Sequence, residues 1–174
     1  IPSPVVADIL SSAGMDFIVI DAEHGPVTYE TAQNMVMACE NNGCSPLFRV
    51  GSNDDNLVLR ALEIGSHGVI IPQIESFEEA KRASSSIRYF PMGNRGYSPF
   101  TRAGTYSPVE EHTSISNSRV LSTIIVEGQR GMDNFHRILE VEDIDIIYLG
   151  PYDLSSIAFF DAVYNKSQSA LYAK

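Results

Sequence analysis

Cysteine is scarce in this chain of 174 residues: Cys39 and Cys44 are the only two, with Gly43 just before the second. A scaffold of several disulfides is excluded, and no C-x-x-C pair suggests redox or zinc chemistry. Both read as small apolar residues near a helix end, in a reduced, cytosolic setting. Basic charge is also short. Lys and Arg total 12 against 22 Asp and Glu, giving a net charge of −10 and a pI near 4.7. Such a surface does not grip nucleic acid or anionic lipid by bulk electrostatics, so neither is expected as a partner. Small anionic substrates remain allowed, because one Arg or a bound cation can dominate a pocket. Long apolar runs are missing too, and none approaches the ~20 residues of a membrane span. No basic segment leads into an apolar stretch, so no signal peptide is expected, although a start at Ile1 rather than Met suggests that residues precede it. No G-x-G-x-x-G or P-loop string follows a strand, which weakens a nucleotide-binding reading.

What the chain does have is an ordinary globular composition, 44% hydrophobic and 20% charged, which excludes disorder as its main state. Short β-branched runs alternate with longer stretches of helical period, the pattern of parallel β/α units. Ser3-Pro4 caps a helix ending at Gly14, and Phe17–Ile20 is a first strand. Thr28 opens a helix to about Asn41, with Ala32, Met35, Val36 and Cys39 on its apolar face. Leu47–Val50 is a second strand, Asp54 to Glu63 a helix stopped by Gly65, and Val69–Ile71 a third strand. Ser76-Phe77-Glu78-Glu79 is a capping box. From Ile87 to about Arg119 runs a Gly/Pro/Ser/Tyr-rich stretch with no clean period, read as a long functional loop. Val120–Glu127 is a fourth strand, Met132 to Leu139 a helix, and Ile144–Leu149 a fifth strand. Near-continuous apolar strands imply a parallel sheet covered by helices, either a doubly wound open sheet or an arc of a β/α barrel.

The barrel reading gains from what closes each strand, because barrel active sites are built where strands end. The first strand delivers Asp21, Glu23 and His24, the second Arg49, the third Gln73 and Glu75, the fourth Glu127, and the fifth Asp153. Glu127 and Asp153 leave consecutive strands, so their carboxylates should lie side by side. Two such carboxylates repel unless a cation lies between them or one is protonated. A hard divalent ion with open positions resolves this. The plainer alternative makes Glu127 an exposed helix-start residue and Asp153 the N-cap of a short turn. Arg49 follows an apolar strand and suits a bidentate carboxylate or an enolate oxygen, or else a buried ion pair with Glu23 or Asp21. His24, fixed by Gly25-Pro26, suits a general base near neutral pH, or a hydrogen-bonded loop histidine. His67, His112 and His136 are given no role. A metal, an Arg and a His at an anion-accepting mouth suit enolate chemistry on a 2-keto acid, with carbon–carbon cleavage or formation beside it. No lysine closes a strand, which disfavours a Schiff base.

These residues also carry a resemblance. Gly14-Met15-Asp16-Phe17-Ile18-Val19-Ile20-Asp21-Ala22-Glu23-His24-Gly25-Pro26 resembles a signature of the HpcH/HpaI aldolase/citrate lyase family. Arg49, Asn53-Asp54, Leu62-Glu63-Ile64-Gly65, Gly93-Asn94-Arg95-Gly96 and Ile147–Ser155 follow in order, so the match spans nearly all of residues 1–157. The resemblance implies a (β/α)8 TIM barrel with about five of its eight strands here: a partial catalytic domain over 1–158 and an unmatched tail at 159–174. It implies a class II aldolase joining or cleaving a pyruvate enolate and an aldehyde, acting on 4-hydroxy-2-oxo acids. It places a divalent metal ion, Mg²⁺, Mn²⁺ or Co²⁺, on Glu127 and Asp153, and the keto or enolate oxygen on Arg49. His24 would be the base, paired with Glu63 where Asp is usual, with Asp21 and Glu23 supporting the site. Gly93, Arg95 and Gly96 would line the entrance and bind substrate. It further implies a cytoplasmic homo-oligomer, often a hexamer. A malyl- or citryl-type thioester lyase and a non-catalytic barrel module are the competing readings.

Overall fold

The computed structural model describes residues 1–156, so the tail read as 159–174 lies outside the described residues. Local signals set the element starts. The Ser3 hydroxyl accepts the Val6 N–H and Pro4 takes the first position of α1 (Pro4–Ser12), which leads to β1 (Phe17–Asp21). Thr28 caps α2 (Tyr29–Asn41) by accepting the Thr31 N–H, and β2 (Ser45–Arg49) follows. Asp54 accepts two N–H groups at the head of α3 (Asp55–Glu63), and β3 (Gly68–Ile71) comes next. Ser76 accepts the Glu79 N–H to open α4 (Phe77–Ile87), while the Glu79 carboxylate accepts the Glu75 N–H at 2.8 Å. Such caps satisfy N–H groups that a helix cannot pair internally.

The stretch read as an unpatterned loop holds a helix, α5 (His112–Arg119), just before β4 (Leu121–Val126). Its face is weakly apolar and no side chain caps it, which is why the period is hard to see. The single helix expected over 132–139 is two short ones, α6 (Gln129–Asp133) and α7 (Phe135–Ile138), with Asn134 between them. The Asn134 side chain donates to the Glu75 carbonyl at 2.9 Å, so its attachment to a neighbouring loop coincides with the break. β5 (Ile146–Leu149) and α8 (Pro151–Ser155) complete the described chain.

The five strands form one parallel sheet in the order β1-β2-β3-β4-β5. A doubly wound sheet reverses its order at a switch point. Here each strand lies beside its sequence neighbour without reversal, so the sheet is an arc of a β/α barrel. Alternation along each strand separates two faces. Ile20, Phe48, Val69, Ile71, Ile124 and Val126 point outward and are buried against the helices. Val19, Leu47, Ile70, Thr123, Ile125 and Tyr148 point inward and line a groove of about 560 Å³. Asp21 and Arg49 share the inward parity and are register partners across β1 and β2. Glu127, two residues beyond Ile125, continues that inward row.

Phe48 anchors the outer layer, 1% exposed and stacked on Tyr29 with ring centroids 5.7 Å apart, while Arg60 covers the other ring from 4.1 Å. Phe48→Ala removes this packing and leaves a cavity, at an expected cost of about 3–5 kcal/mol in chemical denaturation. A loss below about 1 kcal/mol would show that the outer layer closes without it.

Candidate active site

The C-terminal ends of the strands carry one continuous polar network. Arg49 donates from Nε to Asp21 Oδ1 at 2.8 Å and from Nη2 to Asp21 Oδ2 at 2.7 Å, a bidentate pair across neighbouring strands. Asp21 also accepts the backbone N–H groups of Glu23 (3.0 Å) and His24 (3.3 Å), which turns the chain sharply after β1. Gly25 is required in that turn, because a Cβ there would lie 2.3 Å from the Asp21 carbonyl oxygen. Burial raises the Asp21 pKa, but the Arg49 hydrogen bonds and the two N–H groups outweigh it and hold the carboxyl below its ordinary value. The ion-pair alternative for Arg49 is therefore realised, and it aims the guanidinium: Nη1 stands 3.3 Å from Glu23 Oε2.

From Glu23 the network crosses the mouth. Gln73, at φ 58°, donates its side-chain amide to Glu23 Oε1 at 3.3 Å and its backbone N–H to Glu127 Oε1 at 3.0 Å. A left-handed backbone is uncommon away from glycine, and here it lets one residue reach two carboxylates. Glu127 is 8% exposed, which excludes the exposed helix-start alternative. Gly150, not Asp153, is the N-cap of α8, and Asp153 lies in its first turn, so the N-cap alternative fails as well. Burial pushes the Glu127 carboxyl above the usual range. The Gln73 N–H lowers it, while the Asp153 side chain and the Glu23 charge raise it further. That is the repulsion expected of clustered carboxylates. His24 stands at the rim, its side chain 69% exposed and Nε2 3.8 Å from Glu23 Oε2.

A divalent cation fits this donor set. Among the described residues no three His, Cys, Asp or Glu side chains form a chelating group, and the donors at the mouth are the neighbouring carboxylates of Glu127 and Asp153. Glu23 Oε2 is buried and accepts no hydrogen bond, and its charge is answered by Arg49 Nη1 at 3.3 Å. Hard oxygen donors with open positions are what Mg²⁺ and Mn²⁺ take. Gly150 shapes the floor, since a Cβ there would meet Glu127 Cβ at 2.6 Å and Oε2 at 2.7 Å.

The other expected site residues lie elsewhere. Glu63 closes α3, the helix that returns from the mouth to the start of β3, so it sits at the opposite end of the sheet from His24. The expected His24–Glu63 pair is not formed within the chain. Gly93, Arg95 and Gly96 follow α4 and precede β4, so they too lie at the N-terminal ends of the strands rather than at the entrance. The Asn94 and Arg95 N–H groups bond to the Ser85 and Arg88 carbonyls, at 2.9 Å each, which fastens this segment to the end of α4. His112, read as a loop residue, opens α5 at that same end. Cys39 and Cys44 are both buried and free, and burial pushes the Cys39 thiol up to about 11, in keeping with an unreactive apolar role. Gln73 and Gly150 were the contributors least visible beforehand. Gln73 stood among the strand-end residues, but nothing in its type announced a bridge.

The sequence model of the HpcH/HpaI aldolase/citrate lyase family matches residues 2–159. The chain belongs to that family. It is similar to the 5-keto-4-deoxy-D-glucarate aldolase of Salmonella paratyphi A, 36% identical over 154 residues, covering 88% of this chain and 60% of that one. The chain thus spans about 60% of the length of such relatives. Among solved structures, an HpcH/HpaI family protein from Burkholderia cenocepacia superposes with a TM-score of 0.85 at 29% identity, covering 90% of this chain and 63% of that one. Citrate synthase SbnG superposes with a TM-score of 0.81 at 28% identity, covering 90% and 60%. The barrel architecture is shared, and no described helix is long and apolar enough to cross a membrane.

Two predictions follow from this geometry. Gly150→Ala forces Glu127 aside, so Mn²⁺ affinity followed by paramagnetic resonance should fall about tenfold or more while the fold is kept; unchanged affinity would detach Glu127 from the metal. Asp21 has a lowered pKa in the folded state, so its stabilisation is present above its ordinary value of 3.8 and is lost as pH falls through the lower, folded value. Asp21→Asn should therefore be less stable than the parent at pH 7, with the gap closing on acidification below about pH 4. A gap constant with pH would show that the Arg49 pair contributes nothing through charge.

Proposed function

We propose that the protein is a divalent-metal-dependent aldolase that makes or breaks the carbon–carbon bond between a pyruvate enolate and an aldehyde, with 4-hydroxy-2-oxo acids as substrates. The observation that carries this reading is the Glu127–Asp153 carboxylate pair beside an Arg49 guanidinium held in place by Asp21. A Mg²⁺, Mn²⁺ or Co²⁺ ion held by Glu127 and Asp153 would supply the positive charge that polarises the 2-keto group. Arg49, with Nε and Nη2 on Asp21 and Nη1 3.3 Å from Glu23, turns its remaining Nη hydrogens to the oxygen on which charge builds. Its position costs no reorganisation during reaction, because Asp21 has already oriented it.

His24 is the proton carrier. In cleavage its Nε2 accepts the proton of the 4-hydroxyl, directly or through a water molecule, and the C3–C4 bond breaks. The hydroxyl carbon leaves as the aldehyde, and the bonding electrons pass into the enolate of C2 and C3. A proton returned to C3 completes pyruvate, and addition runs the same steps backwards. Exposure of His24 at the rim suits proton exchange with solvent. The aldolase name of the Salmonella relative supports a sugar-acid substrate class. The superposition on a citrate synthase supports a second reading, a lyase of malyl- or citryl-type thioesters using the same carboxylates.

Full-length protein stripped of metal and given pyruvate in heavy water should exchange the pyruvate methyl protons only when Mg²⁺, Mn²⁺ or Co²⁺ is added. Glu127→Ala should abolish metal-dependent exchange. Arg49→Ala should keep Mn²⁺ bound yet slow exchange by about 10²–10³. Full exchange in the Glu127 variant in the presence of a chelator would overturn the metal assignment. Absence of exchange with every ion would favour the thioester lyase.

A further inference from the structure

At the opposite end of the barrel arc lies a cavity of about 800 Å³, bordered by Ser45, His67 and Leu121 at the starts of the strands. Arg95 stands in its wall, 7% exposed. One face of its guanidinium covers the Tyr89 ring with Cζ 4.4 Å from the centroid, and Nη1 makes a long hydrogen bond to Ser116 Oγ at 3.4 Å. Nε and Nη2 are buried and have no partner among the described residues. Those two atoms form the edge of the fork that grips a carboxylate from the side. The same molecule shows that edge in use, since Arg49 presents its own Nε and Nη2 to Asp21 at 2.8 and 2.7 Å. Among the described residues Arg95 has no such carboxylate: Glu63 acts on it only through its field and forms no ion pair with it.

The surroundings favour the same ligand. His112 packs against Tyr89 and Tyr97 with ring centroids 5.7 Å from each, and its Nε2 is also buried without a partner among the described residues. Burial, then the Arg95 charge, lowers its pKa, so the ring is neutral at pH 7 and can donate from Nε2. Arg102 and Arg119 border the cavity as well, against one acid, Glu40, which pairs with Arg102 and His67. In a chain of net charge −10 this is a local excess of positive charge. A buried guanidinium with an unpaired edge is costly unless an anion completes it.

We propose that this cavity is a second, non-catalytic anion site, which takes the oxyanion of a small carboxylate or phosphate on the Nε/Nη2 edge of Arg95 with help from His112. It is distinct from the mouth, where Arg49 is already engaged, and it does not depend on the aldolase reading.

The test titrates full-length protein with inorganic phosphate, and separately with acetate, while the histidine ring signals are followed by NMR. The His112 signals should move to saturation while those of His24 stay. Arg95→Gln should weaken the binding about tenfold or more. Arg95→Lys, which keeps the charge if the Gln variant fails to fold, should weaken it as well, because a single ammonium cannot reproduce the two-donor edge. Arg49→Ala should leave the titration unchanged. Saturation by phosphate alone assigns a phosphoryl ligand, and saturation by acetate as well assigns the shared oxyanion. Shifts that move His24 instead, shifts that never saturate (an adventitious ion only), or folded Arg95 variants that bind as the parent does would each overturn the site.

Discussion

The bidentate pair between Arg49 and Asp21 is the constraint on which the rest of the mouth depends. The two residues are register partners on adjacent parallel strands, so the sheet itself brings the charges together. Removing either one would leave a partly buried charge without its partner, which costs far more than the pair contributes in net stability. Asp21 then does a second task, accepting two backbone N–H groups, and thereby fixes the turn that carries Glu23 and His24. Glu23 passes the constraint on through Gln73 to Glu127. Five side chains from four strand ends are thus held by hydrogen bonds between protein groups, and the mouth is ordered before any substrate arrives.

That order has an electrostatic cost, which the network shares out. Arg49 answers Asp21 directly and lies within 3.3 Å of Glu23, but Glu127 receives only a backbone N–H against the burial and the neighbouring acids. The surplus negative charge is therefore concentrated on the Glu127–Asp153 side. A cation placed there relieves it, and the relief is strong at Glu127, whose buried carboxyl is weakly screened by solvent. The same reasoning explains why Gly150 is close to Glu127: any side chain would push away the carboxylate whose position matters most.

Much of this was legible in the sequence. Each strand is a short, near-continuous apolar run, so its existence and its end were visible, and strand parity alone puts Asp21, Arg49 and Glu127 on one face. Direction was the harder problem. Glu63 follows Arg49 closely in sequence, but a helix of 9 residues at about 1.5 Å per residue runs roughly 14 Å back toward the next strand's start. The roles of Glu63 and of residues 93–96 came from the family resemblance alone, and in this chain both lie at the far end, where a segment after a returning helix begins. α5 was missed because it has no capping side chain and little apolar periodicity; Asn117 ties it to Tyr89 through two hydrogen bonds, which no periodicity reveals. The bridge made by Gln73 rests on one backbone angle that its side-chain type does not announce.

Arg49 and Arg95 together show how one chemical group can be put to two uses. Both offer the same two-donor edge at opposite ends of a single sheet. At Arg49 the fold supplies two carboxylates, Asp21 on Nε and Nη2 and Glu23 3.3 Å from Nη1, and the guanidinium becomes a fixed part of the machinery. At Arg95 the fold supplies a tyrosine face, a hydroxyl and a neutral histidine, none of which carries the opposing charge. A protein with nearly twice as many acids as bases had carboxylates to spare for that position. Among the described residues none occupies it, and an anion from outside would complete the pair that the edge of Arg95 is built to make.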